Sequence, residues 1–300
     1  MTRSLCDLHE QESVMLDYTE EDVGNIVLLE HVNLQVPDQA MATLFYIVGL
    51  GLTRDPYLNV GLGNMWANIG EQQFHLPTRS AQRISGNIDL VLPDLKALEE
   101  RLSSVEAALK STQFSWSSRQ DHLAVTCPWG NRFRCLESGP AFGDMAQGLA
   151  AVEFTVREGT AEAIAAFYHN VFGATARVET DLGHAVAHVN IGRNQSLRFR
   201  ESEEPIAPYD GHHIAIYVAN FSRPYNLLKT HQLISEDVRN HQFRFQSIIE
   251  ADSGRTVFLL EHEVRSLHHP MFNRHFLNRD PAQGQRNYRR GRDALIPFRA

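Results

Sequence analysis

The sequence predicts an α+β fold made of four β-α-β-β-β modules, and three observations predict it. A short apolar strand recurs four times, beginning at His31, Asn87, Ala151 and, within Gly211-His212-His213-Ile214-Ala215-Ile216-Tyr217-Val218, at His213. The steps of 56, 64 and 62 residues are too long for a solenoid repeat and long enough for one strand, one helix and a hairpin with a further strand. Phe45-Tyr46 with Gly51 in the first module are matched by Phe167-Tyr168 with Gly173 in the third, and Asn68-Ile69-Gly70 by Asn190-Ile191-Gly192. Finally, Pro128-Trp129-Gly130-Asn131 and Asp252-Ser253-Gly254 make equivalent turns into the last strands of modules two and four.

Residues 1–24 are polar and acidic and read as an N-terminal arm. The first strand spans about 26–36. Pro37-Asp38 then opens a helix over about 38–48, in which Met41, Leu44, Phe45 and Val48 recur at three- and four-residue steps before Gly49 and Gly51 end it. Strands near 57–60, 65–69 and 72–76 complete this module. Module two repeats the order, with a strand at 87–92, a helix begun by Pro93-Asp94 that carries Leu95, Leu98, Leu102 and Val105, and strands near 112–117, 121–127 and 131–137. Gly139, Pro140, Gly143 and Gly148 mark a linker. Module four runs from His213 through a helix over 221–231 to strands near 243–249 and 255–263. Beyond His268-His269-Pro270 the tail to residue 300 is rich in arginine.

The composition narrows the function classes. A 300-residue chain that is 43% hydrophobic buries a sizeable core, and a net charge of −8 gives no basic field to collect nucleic acid or an anionic membrane. Cys6, Cys127 and Cys135 are too few for a disulfide framework and favour a reducing compartment. The acidic N-terminus lacks the apolar run of a signal peptide, and no stretch reaches the roughly 18 apolar residues of a membrane span. A cytoplasmic location and a small-molecule partner are therefore expected, with a homodimer as an open assembly. Phosphate-binding glycine loops, nucleophile elbows and Cys-His zinc spacings are absent from the sequence.

Four such modules, with Phe-Tyr late in the helix and Pro-Trp-Gly-Asn before a last strand, resemble the vicinal oxygen chelate superfamily over about residues 27–263. That superfamily includes glyoxalase I, the bleomycin-resistance proteins and the extradiol dioxygenases. The resemblance implies two glyoxalase/dioxygenase-type domains, each pairing two modules into a cup. Consecutive pairing gives a first domain over 25–140 and a second over 149–264, with the arginine-rich tail over 265–300. It also implies a divalent metal ion (Fe, Mn, Ni or Zn) held by side chains of first and last strands, since alternate strand residues turn into a cup.

Carried over on these positions, the resemblance implies His31, His75, His213 and Glu261 as metal ligands, and Asn87 and Arg134 as groups that orient and hold substrate. In the N-terminal cup, His31, His75, Asn87 and Arg134 either ligate through two imidazoles or clamp an anion through Arg134 and the amide. Only His213 of the His212-His213 pair faces a cup. Glu137 and Glu261 sit three residues beyond the position expected for a carboxylate ligand, and an odd shift turns them to the wrong face unless a bulge intervenes. Two functions stand open: a metal-dependent lyase, isomerase or dioxygenase acting on an oxygen-chelating substrate, and a metal-free binding protein of the bleomycin-resistance type.

Overall fold

A computed structural model describes residues 18, 22–56, 63–238, 240–274 and 276. The expected strand near 57–60, most of the N-terminal arm and most of the arginine-rich tail lie outside these residues. No helix among the described residues is long and apolar enough to cross a membrane.

Among the described residues, sixteen strands and four α-helices carry the four modules. Module one holds β1 (Ile26–Asn33), α1 (Gln39–Ala42), β2 (Thr53–Arg54), β3 (Asn64–Ile69) and β4 (Gln72–Pro77). Module two holds β5 (Gly86–Leu92), α2 (Leu95–Leu109), β6 (Ser115–Ser118), β7 (Leu123–Thr126) and β8 (Arg132–Glu137). Module three holds β9 (Gly148–Arg157), α3 (Ala161–Phe167), β10 (Ala176–Asp181), β11 (His184–Gly192) and β12 (Gln195–Ser202). Module four holds β13 (His213–Val218), α4 (Ser222–Thr230), β14 (Ile234–Val238), β15 (Gln242–Ile249) and β16 (Thr256–Ser266).

The Pro-Asp pairs start helices because the aspartate is the N-cap. Asp38 accepts from the amides of Ala40 and Met41, and Asp94 from that of Ala97. The first helix then departs from expectation, since after Ala42 it widens into a π-helical stretch over Thr43–Gly49 that buries Phe45 and Tyr46. Tyr168–Phe172 does the same after α3.

The strands form two eight-stranded sheets, in the orders β14-β15-β16-β13-β1-β4-β3-β2 and β10-β11-β12-β9-β5-β8-β7-β6. Within each module the first and last strands run parallel; between modules, first strand meets first strand antiparallel. Module one is thereby joined to module four, and module two to module three, which differs from the consecutive pairing expected for the cups. The consecutive pairs share the apolar core instead. Phe45 and Tyr46 pack on Phe133 of module two, and Phe167 packs on Phe245 of module four. Helix α3 lies against β11 and β12 of its own sheet and β15 and β16 of the other.

Bulges at the two module junctions tie the sheets together. From Leu29 to His31, β1 advances two residues while β13 advances one, and from Leu149 to Ala151, β9 advances two against one on β5. Polar groups freed there are met by buried glutamines: Gln195 accepts from Leu29 N–H (3.0 Å) and donates to the carbonyls of Leu29 (3.3 Å) and Leu149 (3.0 Å), while Gln72 accepts from Leu149 N–H (3.0 Å).

Gly86 opens β5 at φ +155°, where an added Cβ would lie 1.7 Å from the Glu153 carbonyl oxygen. Gly86→Ala is expected to cost at least about 3 kcal/mol, because both the dihedral and the strand approach exclude a side chain. Urea unfolding measures it. A second test concerns His262, which is buried and accepts from the Tyr168 hydroxyl (2.7 Å) while its Nδ1 donates to the Leu260 carbonyl (2.7 Å). Burial pushes its pKa down to about 3. Between roughly pH 6.5 and 3 the unfolded chain therefore takes up a proton that the folded chain refuses, so acid removes stability at up to about 1.4 kcal/mol per pH unit from this group. His262→Phe should reduce the slope of stability against pH below neutrality.

Candidate metal centre

Joining β1 to β13 puts Asn33 opposite His213, and the parallel partner of Asn33 on β4 is His75. His31, two residues before Asn33, shares their face. The ring nitrogens that His31, His75 and His213 offer lie within 4.8 Å of one another. Ring centroids are 5.9 Å apart for His31 and His75 and 5.8 Å for His31 and His213. Trp66, opposite His75 on β3, stacks on its ring at 3.9 Å and meets His31 edge-on.

The fourth corner comes from β16. Register equates the β1/β4 pairs His31–Gln73 and Asn33–His75 with the β13/β16 pairs His213–Glu261 and Ala215–Glu263. The counterpart of His75 is thus Glu263. Both glutamates reach the cup face because β16 advances three residues between Leu259 and His262 while β15 advances two, a bulge that reverses the parity of the strand. Glu261 Oε1 lies 3.5 Å from His213 Nδ1, and Glu263 Oε2 lies 4.0 Å from His213 Nε2. Glu261 is half-buried and Glu263 fully buried, so the expected carboxylate at 261 is accompanied by a deeper one that the spacing argument missed.

Around these groups runs a network of paired charges. Glu30, the bulge residue, binds His31 Nδ1 and also accepts from Arg265 Nη1 (2.9 Å). Arg265 also pairs with Glu263, and Arg244 joins Glu261 (2.6 Å) to Glu263. Burial alone would raise the Glu30 and Glu263 carboxyls, but Arg265 and His31, with Arg244 for Glu263, hold the first well below the usual carboxylate range and the second at about 2. Burial, reinforced by the nearby His31, pushes His75 down to about 3 and His213 to about 2. Both imidazoles are neutral at physiological pH, the form that ligates a metal.

The donor atoms fit a metal ion. With Glu30 at its Nδ1, His31 presents Nε2, and the Nε2 atoms of all three histidines are buried without a hydrogen-bond partner. Orphaned buried acceptors carry a desolvation cost that a bound cation removes. A carboxylate behind a histidine is also the usual support of a metal ligand, fixing its tautomer.

Asn87 and Arg134 are not part of this cup. They sit on β5 and β8 of the other sheet, where Asn87 donates to Glu153 (3.2 Å) and Arg134 makes a two-pronged bond to Asp89 (2.7 and 2.6 Å). The reason is topological, since module two pairs with module three. His212 faces away from the cup; its Nδ1 bonds Asp210 (2.7 Å), and it lines a separate cavity of about 1140 Å³ with Phe154 and Phe258.

This arrangement of two joined modules with ligand-type side chains on first and last strands is a glyoxalase/dioxygenase-type fold. Neither a protein-family model nor a curated protein matches the chain. Solved structures do. Glyoxalase I from Zea mays superposes with a TM-score of 0.56 at 12% identity, covering 84% of this chain and 95% of its own. A Bacillus subtilis subsp. subtilis str. 168 protein assigned provisionally to the dioxygenases gives 0.56 at 13%, covering 87% and 89%.

A C-terminal strap closes one side of the cup. Phe272 packs on Tyr217 at 5.0 Å, and Arg274 reaches back to Asp55 and to Gln73 Oε1 (3.1 Å), with Arg274 and Asp55 both buried. Arg274→Ala takes the guanidinium from a buried carboxylate and is expected to destabilise the protein by about 3 kcal/mol or more, read by chemical denaturation.

Proposed function

We propose that the chain is a metal-dependent enzyme acting on a small substrate that chelates through neighbouring oxygens, with a divalent ion held by Nε2 of His31, His75 and His213 and by Glu263. The single observation that carries this reading is the convergence of three buried imidazole nitrogens that have no other partner. Imidazole and carboxylate donors suit Fe(II), Mn(II), Ni(II) or Zn(II). Such an ion supplies a Lewis acid for paired substrate oxygens and stabilises charge developing on them.

The chain's own residues prepare that site. Trp66 fixes the plane of His75, Glu30 fixes the tautomer of His31, and Arg265 and Arg244 keep Glu263 ionised. The same arginines orient its two oxygens. Lyase, isomerase and ring-cleaving dioxygenase chemistry all begin from this chelate geometry. A metal-free binding role, the alternative from the sequence, leaves the three Nε2 atoms uncompensated.

Metal content of untagged protein, purified without chelator, tests the proposal. Near-stoichiometric metal is expected, lost in His213→Ala and retained in Asn87→Ala. Glu30→Gln should weaken metal affinity by about tenfold or more, because His31 loses its orienting carboxylate. Protein that stays metal-free after incubation with Fe(II), Mn(II), Ni(II) and Zn(II) would sink the enzyme reading. Metal-loaded protein should then be assayed with catechols and α-hydroxy ketones, where turnover separates the reaction classes.

A further inference from the structure

The second sheet repeats the first with its charges inverted. By register, the positions of His31, Gln73 and His75 are taken in module two by Asn87, Arg132 and Arg134, and those of His213, Glu261 and Glu263 in module three by Ala151, Ser196 and Arg198. Cation ligands have become guanidiniums. Two carboxylates, Asp89 and Glu153, lie beneath them and are already engaged: Asp89 by Arg134 and Arg198, and Glu153 by Asn87, Arg198 and Arg200.

Between β5 and β6 this face holds a hollow of about 430 Å³. Its polar wall includes Arg119, Arg132, Arg134, Asn87, Ser117 and Thr126, and no carboxylate among the described residues lines it. Thr126 stands opposite Arg132, and Ala124 opposite both Arg134 and Ser117, so the guanidiniums and hydroxyls share one face over a floor left open by a small side chain. Arg132 spends Nε on the Gly86 carbonyl (3.1 Å), and Arg134 spends Nε and Nη2 on Asp89, which leaves both Nη atoms of Arg132 and Nη1 of Arg134 without an acceptor among the described residues. Asp121, next to the lining residue His122, is three-quarters exposed and bonds His122 (2.7 Å).

We propose that this hollow is a binding site for the carboxylate or phosphate group of a small anionic molecule, distinct from the metal centre on the other sheet. Guanidinium pairs with unspent donors recognise planar or tetrahedral oxyanions through several charge-assisted hydrogen bonds, and flanking hydroxyl and amide groups complete the shell. The volume suits a small metabolite.

Calorimetric titration of the full chain with inorganic phosphate and, separately, with citrate, at ionic strength matched by chloride, tests the site. Saturable binding of at least one is expected, with phosphate alone pointing to a phosphorylated ligand and citrate alone to a carboxylate. Arg132→Gln, an exposed position, should unfold as the wild type does and weaken binding by about tenfold, the loss of one charge-assisted contact. His75→Ala should leave the anion affinity unchanged. Absence of saturable binding for both anions, equal affinity in Arg132→Gln, or loss of binding in His75→Ala would each overturn the proposal.

Discussion

The antiparallel junction of β1 with β13 is the contact on which the candidate site depends. It brings together histidines at positions 31 and 213 that belong to opposite ends of the described chain. Each contributes a first strand, and each first strand carries its own parallel last strand, so one junction delivers four ligand positions at once. The long loop closure this demands costs entropy that grows only slowly with length, and it is offset by a consecutive-module core of buried aromatics. Sheet pairing and core packing thus bind the modules in two different combinations, so that neither half of the chain completes a cup alone.

The bulges are equally necessary. In a regular ladder Glu30 and His31 would turn to opposite faces, and the carboxylate that fixes the imidazole would be lost to it. Disrupted ladder groups on Leu29 and Leu149 would be costly in a buried junction. Gln195 answers both, which makes a side chain of module three a structural part of the cup formed by modules one and four.

Much of the fold was legible because it is local. The repeated strand, the Pro-Asp starts and the Gly exits report backbone preferences that tertiary contacts did not override, and all four modules stand where the repeat placed them. His31, His75 and His213 could be singled out as polar side chains at inward strand positions, and Glu261 only on condition of a bulge. Their convergence was not legible, because nothing in the spacing says which modules join, and consecutive pairing set His31 beside Asn87 and Arg134 instead. Glu263 could be read only as part of the charge-dense Glu261-His262-Glu263 strand end, because one inserted residue in β16 reverses the side-chain alternation on which sequence parity relies.

Charge in the histidine-lined cup bears on what it would accept. Glu30, Glu261 and Glu263 face Arg244 and Arg265, an excess of one negative charge before the imidazoles are counted. A divalent ion placed among them would leave one positive charge, complementary to a chelating substrate that has lost a single proton. The arginines matter to this balance, because three carboxylates without them would outweigh the ion's charge by one and remove its advantage for an anionic pair of oxygens. They also limit how Glu263 can act: Oε2 accepts from Arg244 and Oε1 is ion-paired with Arg265, so a metal would share a carboxylate of reduced donor strength with both arginines. The three imidazoles would then carry most of the ion's affinity, and the carboxylate would set its charge.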